Sequence, residues 1–265
     1  MSACKQFYYE THGTKEKSPA ILMLHGFLGN SKDWNEVTET LRKKFFCVLP
    51  DLPGHGRTMP LADSDYTMQS AAQSLLAVLN REKIKQCFLV GYSMGGRLAL
   101  YMALTYPEYF SKLILESASP GFKTEKECEA RVESDGIVVN RLKTQTMHEF
   151  ITNWYSHPLF DSIRQDREKF EKLLKSRSEN NAEALSKSLK LMGTGAQPPL
   201  WDVLPDLNLP TLLIVGANDN KFKSVALEMA ERSAAISLAT IQSAGHNAHF
   251  ERPQEFLIEL EKFLI

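Results

Sequence analysis

Gly91-Tyr92-Ser93-Met94-Gly95 sets a serine between two glycines at the spacing of a sharp strand-to-helix turn. The apolar run Cys87-Phe88-Leu89-Val90 precedes it, and a helical pattern through Arg97, Leu98, Leu100 and Met102 follows. In that context the hydroxyl stands at the end of a strand over a helix N-terminus, where it can serve as nucleophile or base. A hydroxyl is weak in either role until an imidazole takes its proton, so one of the seven histidines must reach Ser93. His246 is the stronger candidate, because it follows Gly245 on the loop beyond the strand-like run that ends near Ile241. His249, three residues on, is the alternative and reads first as structural. His12 lies by a hairpin, His25 opens a loop, and His55 sits in a Pro-Gly-His-Gly turn. The carboxylate to orient an imidazole is Asp219, which Val215-Gly216-Ala217-Asn218-Asp219 puts on the loop after a preceding strand. Leu24-His25-Gly26-Phe27-Leu28-Gly29 supplies the backbone N–H of Phe27, which with that of Met94 would hold negative charge developing on a carbonyl oxygen.

These residues need a sheet to bring them together, and the hydrophobic pattern provides one. Ala20 to Leu24, Phe45 to Leu49, Cys87 to Val90 and Lys112 to Leu115 are short apolar runs of the kind that fill a parallel sheet covered on both faces. Helical periodicity separates them: Trp34, Val37 and Leu41 share a face behind a Ser31 cap, and Leu75, Leu76 and Leu79 share another. Repeated βαβ units make the fold class α/β. After Ser119-Pro120-Gly121 the alternation gives way to charge-rich helical sequence. Strand-like runs resume at Thr211 to Val215 and Ile236 to Ile241, and an amphipathic helix bearing Phe256, Leu257, Leu260, Phe263 and Leu264 closes the chain. The expected organisation is a core of residues 1–119 and 206–265 with a helical lid, 120–205, inserted in it.

Composition narrows the partners. With 265 residues, 43% hydrophobic and 24% charged, the chain is an ordinary globular one. Thirty-one basic against 32 acidic residues leave a net charge of −1, so no basic surface is expected for nucleic acid or an anionic membrane. Cys4, Cys47, Cys87 and Cys128 form no C-x-x-C pair, which argues against a zinc site or a disulfide framework and for reduced thiols in the cytoplasm. The N-terminus shows no apolar targeting segment, and the longest apolar run is far short of a membrane span. No metal or organic cofactor is expected, since neither a ligand cluster nor a phosphate-cradling glycine loop occurs.

Five stretches together carry a resemblance: His25-Gly26-Phe27-Leu28-Gly29, Pro50-Asp51-Leu52-Pro53-Gly54-His55-Gly56, Gly91 to Arg97, Leu115-Glu116-Ser117-Ala118-Ser119-Pro120-Gly121, and Gly245-His246-Asn247-Ala248-His249. The whole chain resembles the 2-succinyl-6-hydroxy-2,4-cyclohexadiene-1-carboxylate synthase family of the α/β-hydrolase superfamily, in which the order Ser93, Asp219, His246 is the usual one. The first three stretches are widespread in the superfamily, and the last two are more particular to the family. The resemblance implies an α/β-hydrolase fold, a mostly parallel twisted sheet flanked by helices with an inserted lid. It also implies a lyase that eliminates pyruvate from a succinyl-bearing enolpyruvyl cyclohexene carboxylate on the way to menaquinone or phylloquinone.

That substrate is a small molecule with three carboxylates, so a nearly neutral protein must meet it with local cations, which the resemblance assigns to Arg97, Arg131 and Arg177. Arg97 stands one helical turn after Ser93, on the same face. Tyr92, Trp154 and Phe160 match the family's pocket lining. Two other readings keep the same residues: an esterase, thioesterase or carbon–carbon bond hydrolase working through an acyl-Ser93, and a ligand-sensing receptor on a hydrolase scaffold.

Overall fold

The computed structural model describes residues 7–59 and 61–265. Among the described residues seven strands form one sheet: β1 (Tyr9–His12), β2 (Ala20–Leu24), β3 (Phe46–Pro50), β4 (Cys87–Tyr92), β5 (Phe110–Glu116), β6 (Thr211–Gly216) and β7 (Ile236–Ile241). Their order across the sheet is β1-β3-β2-β4-β5-β6-β7. All pairings are parallel except that of β1 with β3. This is the α/β-hydrolase fold that the sequence resembles. β1 is absent from the expectations because Tyr-Glu-Thr-His has no apolar run to announce it. It is a polar edge strand whose antiparallel pairing covers the otherwise open side of β3.

Apolar residues alternate faces along the central strands. Ile21 and Met23 of β2 enter one core cluster with Val37 and Leu41 of α1 (Asn35–Leu41), while Leu22 and Leu24 enter the other. That second cluster is filled by α2 (Met68–Arg81) and α3 (Met94–Thr105), so the sheet is buried on both sides. The turn before α1 differs in detail from its expected start. Asn30, not Ser31, is the cap: its side-chain Oδ1 accepts the Lys32 N–H at 3.0 Å, while Ser31 is already the first residue of the turn and donates its own N–H to the Asp51 carboxylate at 2.7 Å.

Between β5 and β6 the chain forms α4 (Glu125–Thr144), α5 (Met147–Tyr155), α6 (Arg167–Arg177) and α7 (Ala182–Met192). They share a separate apolar cluster that includes Leu142, Phe150, Ile151, Leu173 and Leu185. After β6 come α8 (Asn220–Arg232), β7, the short α9 (Ala248–Glu251) and α10 (Pro253–Leu264), whose Phe256, Leu257, Leu260 and Leu264 are buried against the α1 side of the sheet. Among the described residues no helix is long and apolar enough to cross a membrane.

The β4–α3 turn is sharply folded. Ser93 adopts φ 50°, ψ −107°, outside the regions that side-chain-bearing residues favour. The turn closes so far that a Cβ on Gly91 would lie 2.5 Å from the Gly95 carbonyl oxygen. Gly91→Ala should therefore lower stability by about 1–3 kcal/mol through overpacking, read from the shift in urea midpoint at unchanged slope. A midpoint equal to that of the parent would show that the turn has room to spare.

Candidate active site

Three loops at the C-terminal edge of the sheet converge on Ser93. The Ser93 Oγ is 3.0 Å from His246 Nε2, and His246 Nδ1 is 2.7 Å from Asp219 Oδ2. Asp219 caps α8 by accepting the Phe222 N–H, and the Phe222 ring lies 4.6 Å from the imidazole, which is thus held from its carboxylate side and over one face. His246 and Asp219 are buried and Ser93 is partly exposed, leaving the hydroxyl as the reachable end of the chain of hydrogen bonds. With Nδ1 donating to the carboxylate, Nε2 is free to take the serine proton.

His249 belongs to a different pair. Its backbone N–H and Nδ1 bond both oxygens of Glu116, at 3.0 and 2.6 Å, and its ring stacks on Trp34 with centroids 4.1 Å apart. Histidine and glutamate are both fully enclosed. Glu116 ends β5, and its main-chain carbonyl accepts the Ser93 N–H at 2.8 Å. One residue therefore fastens the nucleophile turn through its backbone and the histidine loop through its side chain. The two sequence stretches most particular to the family, around Glu116 and around His246, meet here.

The loop expected to hold an oxyanion follows β2. Met94, as the first residue of α3, offers one of the amides that a helix N-terminus leaves without an internal partner. Across from it, the Gly26–Gly29 turn presents Phe27, closed by the Gly29 N–H on the Gly26 carbonyl at 3.0 Å. His25 braces that turn: its Nε2 accepts the Leu52 N–H at 2.9 Å, so Nδ1 carries the proton and donates to the Gly26 carbonyl at 2.8 Å. His55, packed beside Phe27 and His25, donates Nδ1–H to the Pro53 carbonyl and leaves Nε2 buried without a partner. Burial, and next the neighbouring His25, pull its pKa down to about 3.

The three arginines are placed differently. Arg97 is buried and donates from Nη1 to the Met192 carbonyl and to Gln197 Oε1, each at 3.1 Å. Burial, with the nearby Arg131 charge adding to it and Asp135 opposing, brings its pKa down to about 10. Arg131 is partly exposed and bonds Asp135 at 2.7 Å. Burial raises the Asp135 pKa despite the opposing Arg131 and Arg97 charges. Arg177 does not present an open fork: Nη1 and Nη2 are both on Asp33, at 2.7 and 2.8 Å, and Nε is on the Tyr155 hydroxyl at 3.3 Å. Burial disfavours both charges, yet their mutual attraction prevails, holding the Asp33 carboxyl below its usual range and the guanidinium above its own.

Of the aromatic candidates, Tyr92 is buried, its ring 5.5 Å from His246 and 5.0 Å from His249. Trp154 of α5 comes from the insertion to within 5.2 Å of Phe27, and Phe160 meets His246 edge-on at 6.1 Å. Glu116, Asp33, Asn180 and Phe222 join this site without having been singled out from sequence. Glu116 stands in one of the stretches that carry the resemblance, and Asn180 lies three residues after Arg177.

The family model described as alpha/beta hydrolase fold matches residues 19–141. The chain is 32% identical to the 2-succinyl-6-hydroxy-2,4-cyclohexadiene-1-carboxylate synthase of Citrobacter koseri, over 96% of this chain and 97% of that one. It is 30% identical to Protein PHYLLO, chloroplastic, of Arabidopsis thaliana, over 95% of this chain but 16% of that much longer one. Among solved structures, MenH from S. aureus superposes with a TM-score of 0.93 at 31% identity, covering 97% of each chain.

His55 makes the site's surroundings sensitive to acid. Its folded pKa, about 3, lies below the ordinary value near 6.5, so below about pH 6.5 the unfolded chain binds a proton that the folded one refuses. Its contribution is present at neutral pH and is lost as pH falls from about 6.5 towards 3. His55→Gln should flatten the loss of unfolding free energy between pH 7 and 4, measured by urea denaturation at each pH. A slope unchanged from the parent would contradict the assignment.

Proposed function

The chain belongs to the 2-succinyl-6-hydroxy-2,4-cyclohexadiene-1-carboxylate synthase family of α/β-hydrolases, and on that premise we propose that it is a lyase eliminating pyruvate from 2-succinyl-5-enolpyruvyl-6-hydroxy-3-cyclohexene-1-carboxylate. In this reading Ser93 takes the ring proton beside the succinyl ketone while its own proton passes to His246 Nε2. The electron pair of that C–H bond becomes a ring double bond, the existing double bond shifts, and the C–O bond to the enolpyruvyl group breaks. His246 returns its proton to the departing enolate, which ketonises to pyruvate. The Phe27 and Met94 amides hold the ketone oxygen as it gains charge, and Asp219 keeps the imidazole in the tautomer that accepts at Nε2. No water and no acyl-enzyme enter the balance.

Arg97 is the observation that carries the substrate class. It is a buried guanidinium one turn beyond the nucleophile whose hydrogen bonds run to neutral oxygens, of Met192 and Gln197. Asp135, the carboxylate that acts on it through space, is bonded to Arg131. A cation desolvated against neutral acceptors suits an anionic ligand and ill suits an apolar ester. Arg97 is therefore assigned to a substrate carboxylate; the family resemblance adds Arg131 as a second, and Tyr92, Trp154 and Phe160 as the walls around the ring. Cys47 and Cys87 are buried and unpaired, and burial lifts each thiol to about 12, which suits a protein of the reducing cytoplasm.

Purified protein should release pyruvate from the enolpyruvyl substrate, followed by coupling to a pyruvate-dependent dehydrogenase. Ser93→Ala should lower kcat by about a thousandfold. Arg97→Ala should weaken kcat/KM by about 2–5 kcal/mol if the guanidinium meets a desolvated carboxylate. Fast turnover of simple neutral esters with no pyruvate formed would replace this reading by the acyl-enzyme one.

A further inference from the structure

The oxyanion loop is gripped from the insertion as well as from the sheet. Leu28, the residue after Phe27, is fully buried at φ 68° and belongs to the apolar cluster formed by the helices between β5 and β6, with Phe150, Tyr155, Phe160 and Leu185, and to neither core cluster of the sheet. The Leu28 carbonyl accepts a hydrogen bond from Asn180 Nδ2 at 2.9 Å, and the same amide group donates to the Arg177 carbonyl at 3.1 Å. Five residues after Leu28, Asp33 takes both Nη donors of Arg177, the last residue of α6. The Asp33 carboxylate lies against the turn itself, for a Cβ on Gly29 would collide with its Oδ2. Side-chain exposures of 4% for Arg177 and 12% for Asp33 show that the pair is closed off from solvent.

A guanidinium whose parallel donors already match a carboxylate has no second fork to give a ligand. Freeing it would strand the Asp33 charge in a buried place. Leu28, meanwhile, holds a left-handed backbone that a residue with a side chain adopts only when its surroundings impose it. The Asn180 bond and the ion pair bear on this segment, within one to six residues of the Phe27 amide.

We infer that Arg177, Asp33 and Asn180 are positioning residues that aim the Phe27 N–H at the reacting oxygen, so that Arg177 serves the reaction through Asp33 and not by holding a substrate carboxylate. The inference rests on the reading of Ser93 and Phe27 given under the proposed function but is independent of which substrate is processed.

The test uses an uncharged probe, diethyl p-nitrophenyl phosphate. Ser93 Oγ bonds to phosphorus, its proton goes to His246, the P–O bond to the aryl group breaks, and p-nitrophenolate leaves and is counted by absorbance. The phosphoryl oxygen needs the oxyanion donors, yet nothing in the probe needs a cation. Asp33→Asn and Arg177→Gln should each slow labelling about tenfold, and the double variant should be no slower than the slower single one. In pyruvate release the same variants should lower kcat by a similar factor with KM within about threefold of the parent. Asp33→Glu and Arg177→Lys, which keep the charges, should recover part of the loss.

Parent labelling rates in both single variants, together with a KM raised about tenfold or more in Arg177→Gln alone, would overturn the inference and return Arg177 to the substrate. Should a buried charge left unpaired prevent folding, Asn180→Ala removes one neutral bond only: slowed labelling supports the inference, and a parent rate overturns it. Absence of pyruvate release from a parent protein that labels normally would refute the substrate reading and leave the positioning role standing.

Discussion

Ser93 stands at φ 50°, ψ −107°, a backbone state that costs on the order of 1–3 kcal/mol and persists only where neighbours enforce it. The enforcing contacts account for much of the architecture. Gly91 and Gly95 let the strand fold back on the helix, β4 lies at the centre of the sheet, and the Glu116 carbonyl fixes the Ser93 amide. Glu116 then reaches with its side chain to His249, so the conformation of the nucleophile and the course of the histidine loop are set by the same residue. Trp34 and Tyr92 seal that junction from two sides.

Buried charge is handled pair by pair. Glu116 is hydrogen-bonded by His249, Asp33 pairs with Arg177, and Asp135 pairs with Arg131. Such pairs add little net stability, since desolvation consumes most of their attraction, but breaking one is costly, and they therefore hold a particular geometry. Each joins segments far apart in the chain or, for Arg131 and Asp135, adjacent turns of α4. Arg97 differs, bonded to an amide and a carbonyl at the end of α7. The overall charge of −1 gives no hint of this, because it sums over positions whose surroundings differ completely.

Much of the fold was legible because a covered parallel strand must be apolar nearly throughout: Ala20 to Leu24 coincides with β2, and Thr211 to Val215 falls within the fully buried β6. β1 escaped because an edge strand can be polar. The serine turn was legible for a steric reason that the sequence carries locally, namely glycines two residues to either side. The choice between His246 and His249 was not settled locally, as both follow the same strand, and only the carboxylate each one meets separates them. The state of Arg177 was illegible for a stronger reason. Its partner Asp33 is 144 residues away, and nothing around either residue marks the other.

The pairing of β5 with β6, Leu113 beside Thr211, closes a loop of roughly a hundred residues, and only beyond it do Asp219 and His246 appear. During synthesis from the N-terminus, the serine turn and the oxyanion loop are complete while the groups that would activate the hydroxyl are still unmade. The nascent five-stranded sheet carries the serine turn and an exposed β5 edge until the last two strands dock. Ser93, Asp219 and His246 thus come together only with the final fifth of the chain, coinciding with completion of the sheet.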